Sequence, residues 1–130
     1  IDLMQMMVEL SLTGHFDTWN LKGNLNPRHK TVRSCQNLQL NPGVITRISG
    51  VEEVKNMPGV DWYIPLKQLG DTVVADGSTA RNFCKIGISG QTRTEVYQII
   101  DRIQHTLDIQ DENGNNLVIK NVPKELLKGE

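Results

Sequence analysis

The stretch GNLNPRHKTVR, Gly23 to Arg33, gathers the side chains that most invite a chemical reading. Asn26-Pro27-Arg28 has the lettering of a metal-binding loop. Magnesium in phosphate chemistry is held by hard oxygens, usually one or two carboxylates with the phosphates of a nucleotide. A carboxylate two places before the Asn would supply the charge, but Asn24 stands there, between Gly23 and Leu25. Two neutral amides do not replace a carboxylate for a small dication. The stretch therefore reads as a turn in a connector. His29 lies among Arg28, Lys30 and Arg33, a basic cluster that reads as a solvated or anion-facing loop. His15, His29 and His105 share no ligand spacing, so no metal ligand is assigned.

Other candidates meet similar limits. Ser89 sits in GISG at a strand-to-helix junction, but a nucleophile elbow needs Gly-x-Ser-x-Gly, and the second Gly comes one place early. Gly87 and Gly90 could let backbone amides face an anion at the helix start, which is a weak signal alone. Glu52 and Glu53 fall in the first turn of a short helix, where negative charge is favoured without any catalytic role. Asp111 and Glu112 precede a hairpin turn and lack the rest of a calcium loop. His105 lies near a helix end, where a cation suits the dipole, and reads as structural. Arg33 and Arg47 are the basic residues to watch. Both are expected in strands, where a charge points outward or finds a partner. Together with Arg28 and His29 they are the candidate phosphate or substrate contacts. No catalytic or cofactor-binding residue is assigned.

The bulk properties narrow the classes. A chain of 130 residues with 38% hydrophobic and 22% charged residues has the makings of one globular core. A net charge of −1 and 5% aromatics give neither a basic field nor a stacking platform for nucleic acid. No apolar run approaches the ~20 residues of a membrane span, and no signal peptide is visible. Cys35 and Cys84 fit no zinc spacing and read as reduced core thiols of a cytoplasmic protein.

The elements follow from periodicity and punctuation. Leu3, Met6, Met7 and Leu10 lie at helical spacing, with Met4, Val8 and Leu12 widening the apolar surface. This predicts a helix from an Asp2 N-cap to Gly14 that needs partners on several sides. With Ile1 opening directly into that pattern, the expectation is a piece of a longer protein. His15 to Lys30 is a connector. Thr31 to Leu38 is predicted as a strand, with Val32, Ser34, Gln36 and Leu38 on one face and Thr31, Arg33, Cys35 and Asn37 on the other. Further strands are predicted at Val44–Ser49, Val60–Pro65, TVVA after Gly70-Asp71, and Asn82–Ser89. A short helix spans Val51–Met57. Thr92 and Glu95 form a capping box for a longer helix carrying Val96, Ile99, Ile100, Ile103 and Leu107. Asn113-Gly114 predicts a hairpin. The tail after Pro123 is charged and expected to be loosely held.

RISGVEEV and GISGQTRTEV repeat a strand, Ile-Ser-Gly, helix pattern. Two such β-α-β units predict an α+β fold. The expected form is a ferredoxin-like split βαβ sandwich, an antiparallel sheet with helices on one face. Residues 31–122 form this module, 1–30 the helix and connector left over from a preceding domain, and 123–130 a flexible tail.

The ordered series also resembles a known family. IDLMQMMVELSLTG is similar to the helix that follows the metal-binding loop of ATP-grasp carboxylate–amine ligases. TVRSCQNLQLNPGVITRISGVEEVKNMPGV, LGDTV and CKIGISGQTRTEVYQIIDRI resemble the segments after it, over roughly residues 1 to 120. The closest groups are the L-amino-acid ligases and phosphoribosylglycinamide-synthetase-like or carbamoyl-phosphate-synthase-like proteins. The resemblance implies a non-catalytic C-terminal module of such a ligase, which completes or covers the active site. ATP and magnesium are expected for the parent enzyme and not for this segment, because the family's Glu-x-Asn loop and glycine-rich loop have no counterpart here. Arg33 aligns with an Arg of the family pattern. The implied partner is the remainder of the parent ligase, with homo-oligomerisation left open. The alternative is an independent ferredoxin-like module that binds a small ligand or a protein.

Overall fold

The computed structural model describes residues 3–15 and 31–128. The chain divides into two compact units, Ile1–Lys30 and Thr31–Glu130. In the first, helix α1 (Leu3–Thr13) ends as predicted at Gly14, whose φ of 73° takes the left-handed turn that closes it. The Gly14 amide donates to the Leu10 carbonyl at 2.9 Å. Met4, Met7, Val8, Leu10 and Leu12 are all exposed, although the all-round apolar pattern calls for partners. The expected Asp2 cap lies outside the described residues.

The second unit is built around strand β6 (Asn82–Gly90), which takes an antiparallel neighbour on each side. These are β1 (Val32–Gln39) and β4 (Val60–Pro65). A strand flanked on both edges is buried along most of its length, and β6 is apolar accordingly: Phe83, Cys84, Ile86 and Ile88 are all within 1% of full burial. Residues 117–119 run beside the end of β1, through a Leu40–Val118 bridge and a 3.1 Å bond from the Ile119 amide to the Gln39 carbonyl. The order 117–119, β1, β6, β4 is consistent with a ferredoxin-like arrangement.

Helix α2 (Val51–Lys55) packs on β4, and α3 (Arg93–Thr106) packs on β6 and β1. Both bury their apolar stripes against the face that carries Leu38, Cys84, Ile86 and Ile88. Val96, Ile99, Ile100, Ile103 and Leu107 are buried as the period requires. The capping box is present with one change. Thr92 Oγ1 accepts from the Glu95 amide at 3.1 Å, but the Glu95 carboxylate reaches past the cap to the Gln91 amide, at 2.6 Å. The last residues described form a single turn, Lys124–Leu127, packed on α3 with the Leu127 carbonyl accepting from Gln98.

One predicted strand is two. Val44–Ser49 divides into β2 (Gly43–Val44), paired with β5 (Thr72–Val73), and β3 (Arg47–Ser49), paired with β7 (Asp108–Gln110). The chain changes partners between them. The Ile45 amide donates to Asp71, and the Thr46 amide to Gln110, each at 2.9 Å. Hence the long neighbour of β6 is β1, and the strand of the first Ile-Ser-Gly repeat belongs to a side ribbon.

Gly50 joins that ribbon to α2. Its φ is 85°, and a Cβ there would press into the Thr106 carbonyl at the end of α3. Gly50→Ala should cost about 2–4 kcal/mol, combining left-handed strain with overpacking. Gly77→Ala, at φ 68° with nothing within 4 Å, should cost only about 1–2 kcal/mol. Urea unfolding of the two variants checks the difference.

The hairpin after β7 is organised by Asp111. Its Oδ1 accepts from the Asn113 and Asn115 amides, each at 2.9 Å. Those bonds, the Asn115 amide foremost, hold the carboxyl below the usual aspartate range. A depressed folded-state value stabilises the loop above the unfolded pKa and is lost as pH falls through the folded one. Hydrogen exchange at Asn113 and Asn115 should therefore accelerate, relative to Ile103, as pH drops below about 4.

Candidate functional site

Strand alternation sorts the central sheet into two faces. The inner one is covered by the helices. The outer one carries Arg33, Cys35 and Asn37 from β1, Lys85, Gly87 and Ser89 from β6, and Trp62 and Ile64 from β4. A register irregularity between Val60 and Trp62 places Asp61 beside Ser89. The Ser89 hydroxyl donates to Asp61 Oδ1 at 2.8 Å.

Pairing aligns these residues in rows. Arg33 pairs with Ser89, which leads across to Asp61. Cys35 pairs with Gly87, which pairs with Trp62. Asn37 pairs with Lys85, which pairs with Ile64. Gly87 is essential to the middle row: a Cβ would intrude into the indole of Trp62, which lies over the bare glycine backbone. Trp62 is held in place and still 43% exposed. Arg33, Cys35, Asp61 and Trp62 line a shallow groove over this face.

A second groove lies between α2 and β4, lined by Ile48, Val51, Tyr63, Leu69, Lys55 and Lys67. Lys55 pairs with Glu52 at 2.7 Å and sits 5.6 Å from the Tyr63 ring centre. Tyr63 lies near the buried Cys84. Burial pushes the Cys84 thiol up to about 12, an effect that the neighbouring Tyr63 partly offsets, and burial likewise raises the Tyr63 phenol.

The structure separates the expected candidates. Arg33 lies on the outer sheet face. Arg47 is exposed in the β3–β7 ribbon, opposite Gln110, and no described contact joins the two. Arg28 and His29, like Asn26-Pro27-Arg28 as a whole, lie outside the described residues. Ser89 has an aspartate and no histidine as its partner. Glu52 is tied to Lys55, as its place in the helix suggests. His105 Nδ1 lies 2.8 Å from the Asp101 carbonyl, one turn back on α3. Among the described residues no three His, Cys, Asp or Glu side chains come together as metal ligands, and no helix is long and apolar enough to cross a membrane. Trp62 and Asp61 were not singled out from sequence. The signal was faint: a tryptophan at a strand position that alternation alone assigns ambiguously, and a glycine in the neighbouring strand that could seat it.

Cys35 corrects an expectation. It is exposed, whereas Cys84 is buried. Odd-numbered positions of β1 face outward, and the apolar character of a thiol does not override the register. A thiol reagent at neutral pH should modify Cys35 rapidly and Cys84 only on unfolding. Titration with a chromogenic disulfide should thus read one fast thiol in the native chain and two in denaturant.

The fold is an α+β sandwich with an antiparallel central sheet and helices on one face. No family model matches the sequence, and no curated protein matches it. Among solved structures, the chain is similar to the crystal structure of an L-amino acid ligase from Bacillus licheniformis, with a TM-score of 0.69 and 18% identity. The similarity covers 87% of this chain and 28% of that one, so the chain spans less than a third of the ligase's length. At this identity the shared feature is the fold.

Proposed function

We propose that the chain is a non-catalytic C-terminal module of an ATP-dependent carboxylate–amine ligase acting on amino acids. In this reading it helps to complete or cover an active site whose ATP and magnesium are held elsewhere in the parent protein. The observation that carries the reading is the fold shared with part of an L-amino acid ligase, over most of this chain and a minor share of the other. The ordered motif series in the sequence supports the same reading. The remainder of the ligase is then the partner, and Arg33, Arg47, Arg28 and His29 are the positions from which this module could reach a phosphate or carboxylate.

A second reading is an independent ferredoxin-like module for a small ligand or a protein. It is favoured by the self-contained core of the Thr31–Glu130 unit, which draws on both helices and all three central strands.

The two readings separate in one set of assays. The isolated chain, given ATP, magnesium and pairs of L-amino acids, should release no ADP. Residues 31–128 grafted in place of the matching segment of the Bacillus licheniformis ligase should preserve its ligation activity. ADP release by the isolated chain would overturn the first reading. A folded but inactive graft, together with saturable metabolite binding by the isolated chain, would favour the second.

A further inference from the structure

The outer face of the central sheet combines features that a solvent-facing sheet does not need. Trp62 is fixed over Gly87 and exposed, and Ile64 beside it is 49% exposed. An aromatic held in one place loses little entropy on being covered, and tryptophan and arginine are both enriched at interface hot spots. Arg33 forms no ion pair among the described residues. Asp61, at the other end of the same row, is held by the neutral Ser89 hydroxyl.

The arrangement is self-complementary. In a face-to-face pair related by a two-fold axis along β6, each position on β1 of one copy lies over β4 of the other, row by row. Arg33 then faces Asp61 of the second copy, and the reverse pair forms on the other side of the axis. Cys35 faces Trp62 of the second copy. Gly87 lies on the axis, where the two indoles approach. Lys85 also lies near the axis, in the last row, and is the one like-charge encounter. Its long stem can carry the ammonium out to the solvated rim.

We propose that this face is a self-association surface through which two copies of the chain pair, with Trp62 at its centre and Arg33–Asp61 pairs across it. The occupant is a second copy because one surface supplies both signs of charge in positions the two-fold axis exchanges. The patch is only three strands wide, at roughly 4.8 Å between strands. An interface this small belongs to the weak class. The association should be concentration-dependent.

Sedimentation velocity of the full chain over a wide concentration range tests this, with circular dichroism to confirm that each variant folds. The wild-type chain should show a monomer–dimer equilibrium. Arg33→Asp and Asp61→Arg should each weaken it by about tenfold or more, since each places like charges opposite one another. The double variant R33D/D61R should restore it, because the exchange leaves the pairs complementary. Trp62→Ala should also weaken it. A chain that stays monomeric at every concentration overturns the proposal and leaves the face to another partner. So does a dimer that both single variants leave intact, since it must form elsewhere. Failure of the folded double variant to recover overturns the two-fold pairing.

Discussion

The Thr31–Glu130 unit depends on β6 having a hydrogen-bonded neighbour on each edge. A central strand satisfies all its backbone groups within the sheet, so it can be buried without leaving polar groups unpaired. That permits the buried apolar residues Phe83, Cys84, Ile86 and Ile88 along the strand, and it gives α3 a surface to cover. The same pairing fixes the register of β1 and β4. Because side chains alternate, register decides at once which residues enter the core and which reach the outer face.

This explains why some parts of the molecule were legible from sequence. Helix α3 has a local signature: a 3.6-residue period, a Thr cap and a following glutamate. Its five predicted apolar positions are all buried. The faces of β1 were legible too, since alternation is a property of one strand. The divided strand at Val44–Ser49 was not. Nothing within VITRIS reveals that Val44 pairs with Thr72 while Ser49 pairs with Asp108. A change of partner is a long-range event, and a run of branched residues reads the same either way.

The outer face shows the same limit more sharply. From sequence, Gly87 in GISG offers, with Gly90, only a weak signal for an anion at the helix start. In the fold it is the floor beneath the Trp62 indole. The reason lies in β4, more than twenty residues earlier, and only the register brings the two together. Arg33, a strand arginine expected to point outward or find a partner, lies on the outer face. Its company, Asp61 and Ser89, depends on the irregularity at Asp61, which has no local signature. The similarity to part of an L-amino acid ligase bears on the scaffold and leaves these side chains to be read from their own geometry.

The seat of Gly50 against the Thr106 carbonyl ties the first Ile-Ser-Gly repeat to the end of the second. Helix α2 has only five residues, too few to persist on its own. Its first turn rests on the last turn of α3, and the ribbon feeding it is closed by β7, which follows α3. The first Ile-Ser-Gly repeat is thus supported by partners more than fifty residues later in the chain, Ser49 by Asp108 and Gly50 by Thr106. Such long-range closure raises the contact order of the unit.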